Sequence, residues 1–312
     1  MPIALGYLLP TREQVMQGRP EAAPLLRLAE QAEDLGFASV WVGDSLLARP
    51  RHEPLTLLGG VAGRTRRVML GTAVLLPALR NPVLLAHQVA TLDQVSEGRL
   101  ILGVGIASDN AAIRAEFMAA AVPYEGRVGR MMEGLRLCKA LWSGENVDWQ
   151  GRWTVQGGVL GPVPHQQGGP ALWYGGTAPA ALARTAKFFD GWFPNHAEPA
   201  RFATEFAALR GMARDAGRDP AALAGATYLT LAIDDDTARA EARIDAYMGS
   251  YYNQPAAAMR RRQVNYAGPA EGAAALLAGY AQTGATHLVL RFAGDHERQM
   301  QAVAKIRTSL GW

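Results

Sequence analysis

Residues able to move protons, hold an anion or cradle a phosphate recur along this 312-residue chain at the ends of short apolar runs. Asp44 and Ser45 follow Ser39-Val40-Trp41-Val42. Thr72, Ala73 and Val74 fall late in the run 68–76, and Gly105, Ile106, Ala107 and Ser108 follow the run 100–104. Gly175, Gly176 and Thr177 follow 171–174, Asn195 and His196 follow 191–194, and Asp234-Asp235-Asp236 follows 226–233. Arg291 lies inside the last run, 287–292. A carboxylate, a hydroxyl and an imidazole are groups for proton transfer or substrate contact, which makes Asp44, Ser45, His52 and His196 the candidates. Arg291 suits an anionic substrate. The stretch Gly175-Gly176-Thr177-Ala178-Pro179 turns tightly and opens a helix with free N–H groups, a seat for phosphate with the Thr177 hydroxyl as an added donor. A plain β-to-α turn with Thr177 as its N-cap explains the same residues equally well. Gly103 and Gly105 let a flat ligand approach bare backbone, or else relieve packing between strands.

Other chemistries find no residues. The six histidines (His52, His87, His165, His196, His287, His296) show neither HxxxH nor HxH spacing, so no metal site is predicted. Asp234-Asp235-Asp236 precedes a helical pattern and reads as an acidic N-cap cluster. The single cysteine, Cys138, lies on an apolar helical stripe and reads as a packed thiol; one cysteine also excludes an internal disulfide framework. A formal net charge of +3 is slight, and the longest basic cluster, Arg260-Arg261-Arg262, reads as a solvated helix face, so no nucleic-acid partner is expected. The N-terminal MPIALGYLLPTRE has no secretory pattern and the apolar stretch 68–79 is too short to cross a bilayer. A cytoplasmic protein without a membrane partner is expected.

The runs that position these residues alternate with helical patterns. Eight strands are predicted at 3–9, 39–42, 68–76, 100–104, 171–174, 191–194, 226–233 and 287–292. Between them Leu25, Leu28, Ala29, Ala32 and Leu35 recur at helical spacing, and Pro82 stands at a helix N1 position. A Gly/Pro-rich excursion at 143–169 holds a short hairpin, and a long, mostly helical insertion covers 237–284. Continuously apolar strands in a βα alternation imply a parallel sheet covered by helices. Eight of them fit an α/β fold of the (β/α)8 TIM-barrel type, one domain over 1–312 with insertions after strands 4 and 7, against a usual size of about 250 residues. An open doubly wound sheet is disfavoured, because 103–108 lacks the third glycine of a dinucleotide fingerprint. In a barrel, chemistry belongs at the C-terminal ends of the strands, where the residues above lie.

Several longer strings narrow the reading: AEDLGFASVWVGDS at 32–45, VMLGTAVLLPALRNPVLLAHQVATLDQVSEGRLILGVGIA at 68–107, ALWSGENVDWQGRW at 140–153, LWYGGTAPAALARTAKFFDGWFP at 172–194 and YAQTGATHLVLRF at 280–292. In these the chain resembles the bacterial-luciferase-like family of flavin- and deazaflavin-dependent oxidoreductases. The resemblance implies a (β/α)8 barrel with a long insertion before its last strand and FMN or coenzyme F420 in its mouth. It also implies a non-prolyl cis peptide at Ala73–Val74. The ring would lie against Asp44, Thr72, Ala73, Val74, Gly105 and Ala107, with the phosphate near Gly175, Gly176 and Thr177. Two departures matter. Ser45 stands where many members carry histidine, and Ala107 and Ser108 stand where the deazaflavin sugar-phosphate dehydrogenases carry glycine and glutamate. The function expected first is a monooxygenase using reduced FMN and O2 on a small organic substrate inside a dry, apolar cavity, with a separate flavin reductase as partner. F420-dependent hydride transfer is the alternative, and a non-catalytic flavin-binding barrel the second alternative. A homodimer is implied by resemblance.

Overall fold

The computed structural model describes residues 3–196 and 198–312. In chain order it forms β1 (Ala4–Leu8), α1 (Thr11–Met16), α2 (Ala23–Asp34), β2 (Ser39–Val42), α3 (Pro54–Arg64), β3 (Met69–Thr72), α4 (Pro82–Val95), β4 (Leu100–Val104), α5 (Ala111–Ala119), α6 (Arg127–Leu141), β5 (Val147–Gln150) and β6 (Thr154–Gly158). There follow β7 (Ala171–Tyr174), α7 (Pro179–Phe188), β8 (Gly191–Trp192), α8 (Pro199–Asp215), β9 (Ala224–Ile233), α9 (Thr237–Tyr252), α10 (Ala256–Arg260), β10 (Asn265–Gly268), α11 (Ala270–Ala281), β11 (His287–Phe292) and α12 (His296–Ser309).

Eight parallel strands close on themselves in the order β1-β2-β3-β4-β7-β8-β9-β11. The last pairing, Ala4 opposite His287 and Tyr7 opposite Leu290, shuts the barrel. The TIM-barrel expectation holds, with helices packed around the strands. Most of these strands read as apolar runs because each is covered on both sides: Val40, Leu70, Leu100 and Leu102 face the helices fully buried, while Trp41, Ile101, Trp173, Phe193 and Val289 fill the inside. Trp41 lies 5.4 Å from Trp173 and 5.1 Å from Phe193, centroid to centroid, so an aromatic layer plugs the barrel. Ala73, Val74 and Tyr228 rest on that layer.

Local signals were read correctly at several ends. Asn81 caps α4 by accepting from the Val83 and Leu84 N–H groups with Pro82 at the first helical position, and Gly36 takes φ 78° just beyond α2. Asp236 caps α9, as the acidic cluster implied. Its neighbour Asp234 is buried and paired with Arg239 and, at 3.3 Å, with Arg243. Cys138 is buried, with its thiol pKa pushed up to about 12 by burial. Three details differ. The sixth barrel strand is regular only over the two residues of β8, although the Phe193 N–H still donates to Tyr174 O at 3.0 Å and Pro194 O accepts from the Tyr228 N–H at 3.2 Å. A short helix, α1, fills the connection after β1. The insertion also contains a ninth parallel strand: β9 runs for ten residues, pairs with β8 at Ala224 and Gly225, and takes β10 as a partner from Thr230 to Ile233. Among the described residues no helix is long and apolar enough to cross a membrane.

Candidate active site

At the C-terminal ends of the strands a cavity of about 280 Å3 opens onto Asp44, Ser45, Ala73, Val74, Ala107 and Ser108, and beyond them onto Arg49, Arg51, Asn195, Tyr228, Tyr251 and Tyr252. A larger groove of about 540 Å3 lies between α11 and α12 and holds none of these groups. The Ala73–Val74 peptide is cis, the geometry that the resemblance implied. It forms a bulge after β3, held where the Leu75 N–H donates to Gly103 O and the Gly105 N–H to Leu75 O. This explains the glycines of β4. A Cβ on Gly103 would stand 2.1 Å from Thr72 O, and one on Gly105 2.6 Å from Val74 Cγ2. They admit the neighbouring bulge, so the packing reading applies. Thr72 is buried and its hydroxyl donates to Gly103 O at 2.8 Å.

Asp44 faces the cavity, but its carboxylate is committed. Arg80 donates to both oxygens, at 2.5 and 3.2 Å, and the Leu76 N–H donates at 2.9 Å, which ties the end of β2 to the bulge. Burial works against the Arg80 charge, yet Asp44 and then Glu53 outweigh it and raise the guanidinium pKa. Ser45 is buried; its hydroxyl donates to Glu116 Oε2 at 2.7 Å and accepts from the Arg49 N–H at 3.0 Å. Glu116 itself, fully buried on α5, also takes the Leu47 and Ala48 N–H groups at 2.7 Å. It was not read from the sequence. A glutamate inside an otherwise apolar α5 stripe beside Ile113 and Phe117 was the available signal.

Other expected residues lie apart from the cavity. The His52 Nε2 is 2.8 Å from Pro20 O, and His52 does not line the cavity. The His196 Nε2 faces Glu205 Oε2 at 3.4 Å; burial, followed by the Arg201 charge, lowers its pKa. Arg291 is fully buried behind the wall. It donates to Thr230 Oγ1 at 2.7 Å, Gln263 Oε1 at 3.0 Å and Tyr252 Oη at 2.9 Å, and its Cζ lies 4.8–5.4 Å from the ring centroids of Tyr228, Tyr247, Tyr251 and Tyr252. The tyrosines come from β9 and α9, where 247 and 251 share a helix face at i, i+4 spacing. That aromatic repeat, YMGSYY, was the signal for them. Burial alone would raise the Tyr252 pKa, but the Arg291 charge and hydrogen bond outweigh it and the pKa falls.

At the far side of the mouth, Gly176 is needed for packing, since its Cβ would meet the Tyr174 ring at 2.5 Å. Thr177 is exposed and does not cap α7; Ala178 occupies that position with no side-chain bond. The N–H groups of this helix end are therefore free of a side-chain cap. Beside it Tyr174 Oη and Arg184 Nε are buried without a hydrogen-bond partner among the described residues, the guanidinium 5.9 Å from the Tyr174 ring centroid. Such unspent donors fit the phosphate of a flavin or deazaflavin.

A closed parallel barrel with a cavity at its C-terminal mouth and a cis bulge after the third strand defines the architecture. The family described as luciferase-like monooxygenase matches residues 3–311, and the chain belongs to it. It is thus a luciferase-like oxidoreductase. The chain is 30% identical over 331 aligned positions, 95% of its length and 93% of the relative's, to an F420-dependent glucose-6-phosphate dehydrogenase of Kineococcus radiotolerans. It is 29% identical over 70% of its length to a 5,10-methylenetetrahydromethanopterin reductase of Methanolobus tindarius, of which the aligned part spans 65%. The solved structure of the monooxygenase RslO1 from Streptomyces bottropensis superposes with a TM-score of 0.84, at 22% identity, over 99% of this chain and 100% of that one; the likeness is one of fold.

Proposed function

We propose that this oxidoreductase works with coenzyme F420 and reduces a polar double bond of a small-molecule substrate. The observation that carries the reading is the composition of the cavity wall. Besides the Ala73–Val74 bulge, the cavity is lined by two arginines, three tyrosines and Ser108, where oxygen chemistry on reduced FMN calls for a dry, apolar chamber. The F420-dependent relative of Kineococcus supports it. When bound, the reduced deazaflavin supplies a hydride.

The chain's own residues do the rest. Ala73, Val74 and Ala107 offer small apolar surface to a flat ring, and the aromatic layer beneath them excludes water from below. The free end of α7 with Arg184 takes the phosphate. The pair of acid and base that the resemblance assigns to the sugar-phosphate dehydrogenases is replaced by Ser45 and Ser108, so a proton has to come from elsewhere. Tyr252 Oη is the group for it: Arg291 donates to it, Gln263 Oε1 accepts from it at 3.1 Å, and its acidity is raised. Titration of the purified protein with F420 and with FMN, followed by fluorescence, tests the reading. Selective tight binding of F420, and anaerobic oxidation of its reduced form by a carbonyl or imine substrate, is expected. Tight FMN binding without F420 binding would overturn it in favour of the monooxygenase.

A further inference from the structure

We propose that the substrate of this cavity is an organic anion whose carboxylate, sulfonate or phosphate group is held by Arg49 and Arg51. Both lie on the loop between β2 and α3 and both line the cavity. The inference rests on the cavity being the substrate site, as read above.

Arg49 places its Cζ 5.1 Å from the Tyr252 ring centroid, and among the described residues no hydrogen bond ties its guanidinium down. Arg51 folds back over the end of β2, where a Cβ on Gly43 would meet its Nη1 at 2.3 Å, and its Nε donates to Arg49 O at 3.1 Å. Its Cζ lies 5.8 Å from the Tyr251 ring. Two more guanidinium groups approach the same ring: Arg12 at 5.2 Å and Arg291 at 4.8 Å. Four cations therefore crowd two adjacent rings. None of them takes part in an ion pair within 4 Å among the described residues. Glu13, a carboxylate close enough to be felt by Arg12 and Arg51, accepts from the Tyr247 hydroxyl instead.

The other charges at the mouth show what this omission means. Asp44 is neutralised by Arg80 and Arg80 by Asp44 and Glu53, while Glu116 Oε2 accepts from three uncharged donors. Arg291 has spent its donors on Thr230, Gln263 and Tyr252 and stands behind the wall, so it acts as a positioning residue that adds field. Arg12 gives its Nε to Tyr251 O. Arg49 and Arg51 are the pair that reach the cavity: Arg49 offers a planar fork to a two-oxygen acceptor, and Arg51, whose Nε goes to Arg49 O and whose guanidinium also engages the Tyr251 side chain, adds its remaining donors. Like charges held this close repel, and a bound anion relieves that repulsion. The pair also lies three strands round the barrel from Gly175–Thr177, with the Ala73–Val74 bulge between. The substrate's charge and the cofactor's phosphate then have separate seats.

The test uses the full chain without cofactor, titrated calorimetrically with pyruvate and with its neutral methyl ester as probes. Pyruvate is expected to bind saturably in the millimolar range and the ester not to. Arg49→Gln and Arg51→Gln are each expected to weaken pyruvate at least tenfold while leaving the near-ultraviolet circular dichroism unchanged. Arg51 is mostly buried; should its variant misfold, the half-exposed Arg49 still decides the matter. Absence of saturable pyruvate binding, equal binding of the ester, or unaltered binding in Arg49→Gln overturns the proposal. F420 titrated into the same variants separates the sources of the anion. A tenfold loss of F420 affinity, with pyruvate competing against F420, would assign the arginines to the cofactor's acidic tail and overturn the substrate reading. If the wild-type chain binds FMN and not F420, the cofactor reading fails while the pyruvate titration still stands on its own.

Discussion

Glu116 and Ala107 show how single side chains shape the mouth. Glu116 Oε2 gathers the Ser45 hydroxyl and the N–H groups of Leu47 and Ala48, and so fixes the loop that carries Arg49 and Arg51. Replacing it with alanine leaves those donors without their acceptor, and urea unfolding should show a loss of about 2–3 kcal/mol. An unchanged urea midpoint would instead mean that the loop is held by other contacts. Ala107 takes φ 58° at the cavity edge, a left-handed conformation that costs an L-residue about 1–2 kcal/mol. Glycine removes that cost and gives back part of it as unfolded-state entropy, so Ala107→Gly should stabilise the fold by about 0.5–1 kcal/mol in the same assay. Residues were the least legible level in the sequence. Asp44 looked like a free acid, because its partner Arg80 lies 36 positions away. Arg49 and Arg51 carried no expectation at all, since nothing local shows that they will meet the rings of Tyr251 and Tyr252.

At the scale of elements, α9 carries the phenols that complete the cavity, and Tyr252→Phe tests its chemical part. The variant keeps the ring beside Arg49 and Arg291 and removes only the hydroxyl. Under the hydride-transfer reading, kcat should fall about 100-fold while F420 affinity stays as it was. An unchanged kcat would remove Tyr252 from proton transfer. The barrel strands were legible throughout, because fully covered strands read as unbroken apolar runs and their glycine and proline ends mark each turn. β10 was not. Its four residues, Asn265–Gly268, carry no apolar alternation, and they pair only because β9 extends past the rim of the barrel. The cap of α7 was misplaced by one residue for a similar reason: Pro179 sets the first helical position, so Ala178 rather than Thr177 stands before it.

For the molecule as a whole, two half-buried imidazoles contribute to the acid limit. Burial lowers the His287 pKa from 6.5 to about 4, with the Trp173 ring packed 4.9 Å away, and lowers that of His296 as well. A histidine that stays neutral when folded takes up its proton more readily when unfolded, so stability is full above about pH 6.5 and is lost as the pH falls towards 4. Urea midpoints measured across that window should decline, and His287→Gln should flatten part of the decline. A midpoint independent of pH from 7 to 4 would contradict the lowered pKa of both rings.

The ten residues of β9 have a wider meaning. Their beginning closes the barrel through β8, and their end anchors the strand that follows α9 and α10. On the proposed reading, architecture and selectivity thus depend on different stretches of one strand. A lineage can exchange the segment between its end and β10, tyrosines included, and acquire a new chemical taste while the cylinder beneath stays shut.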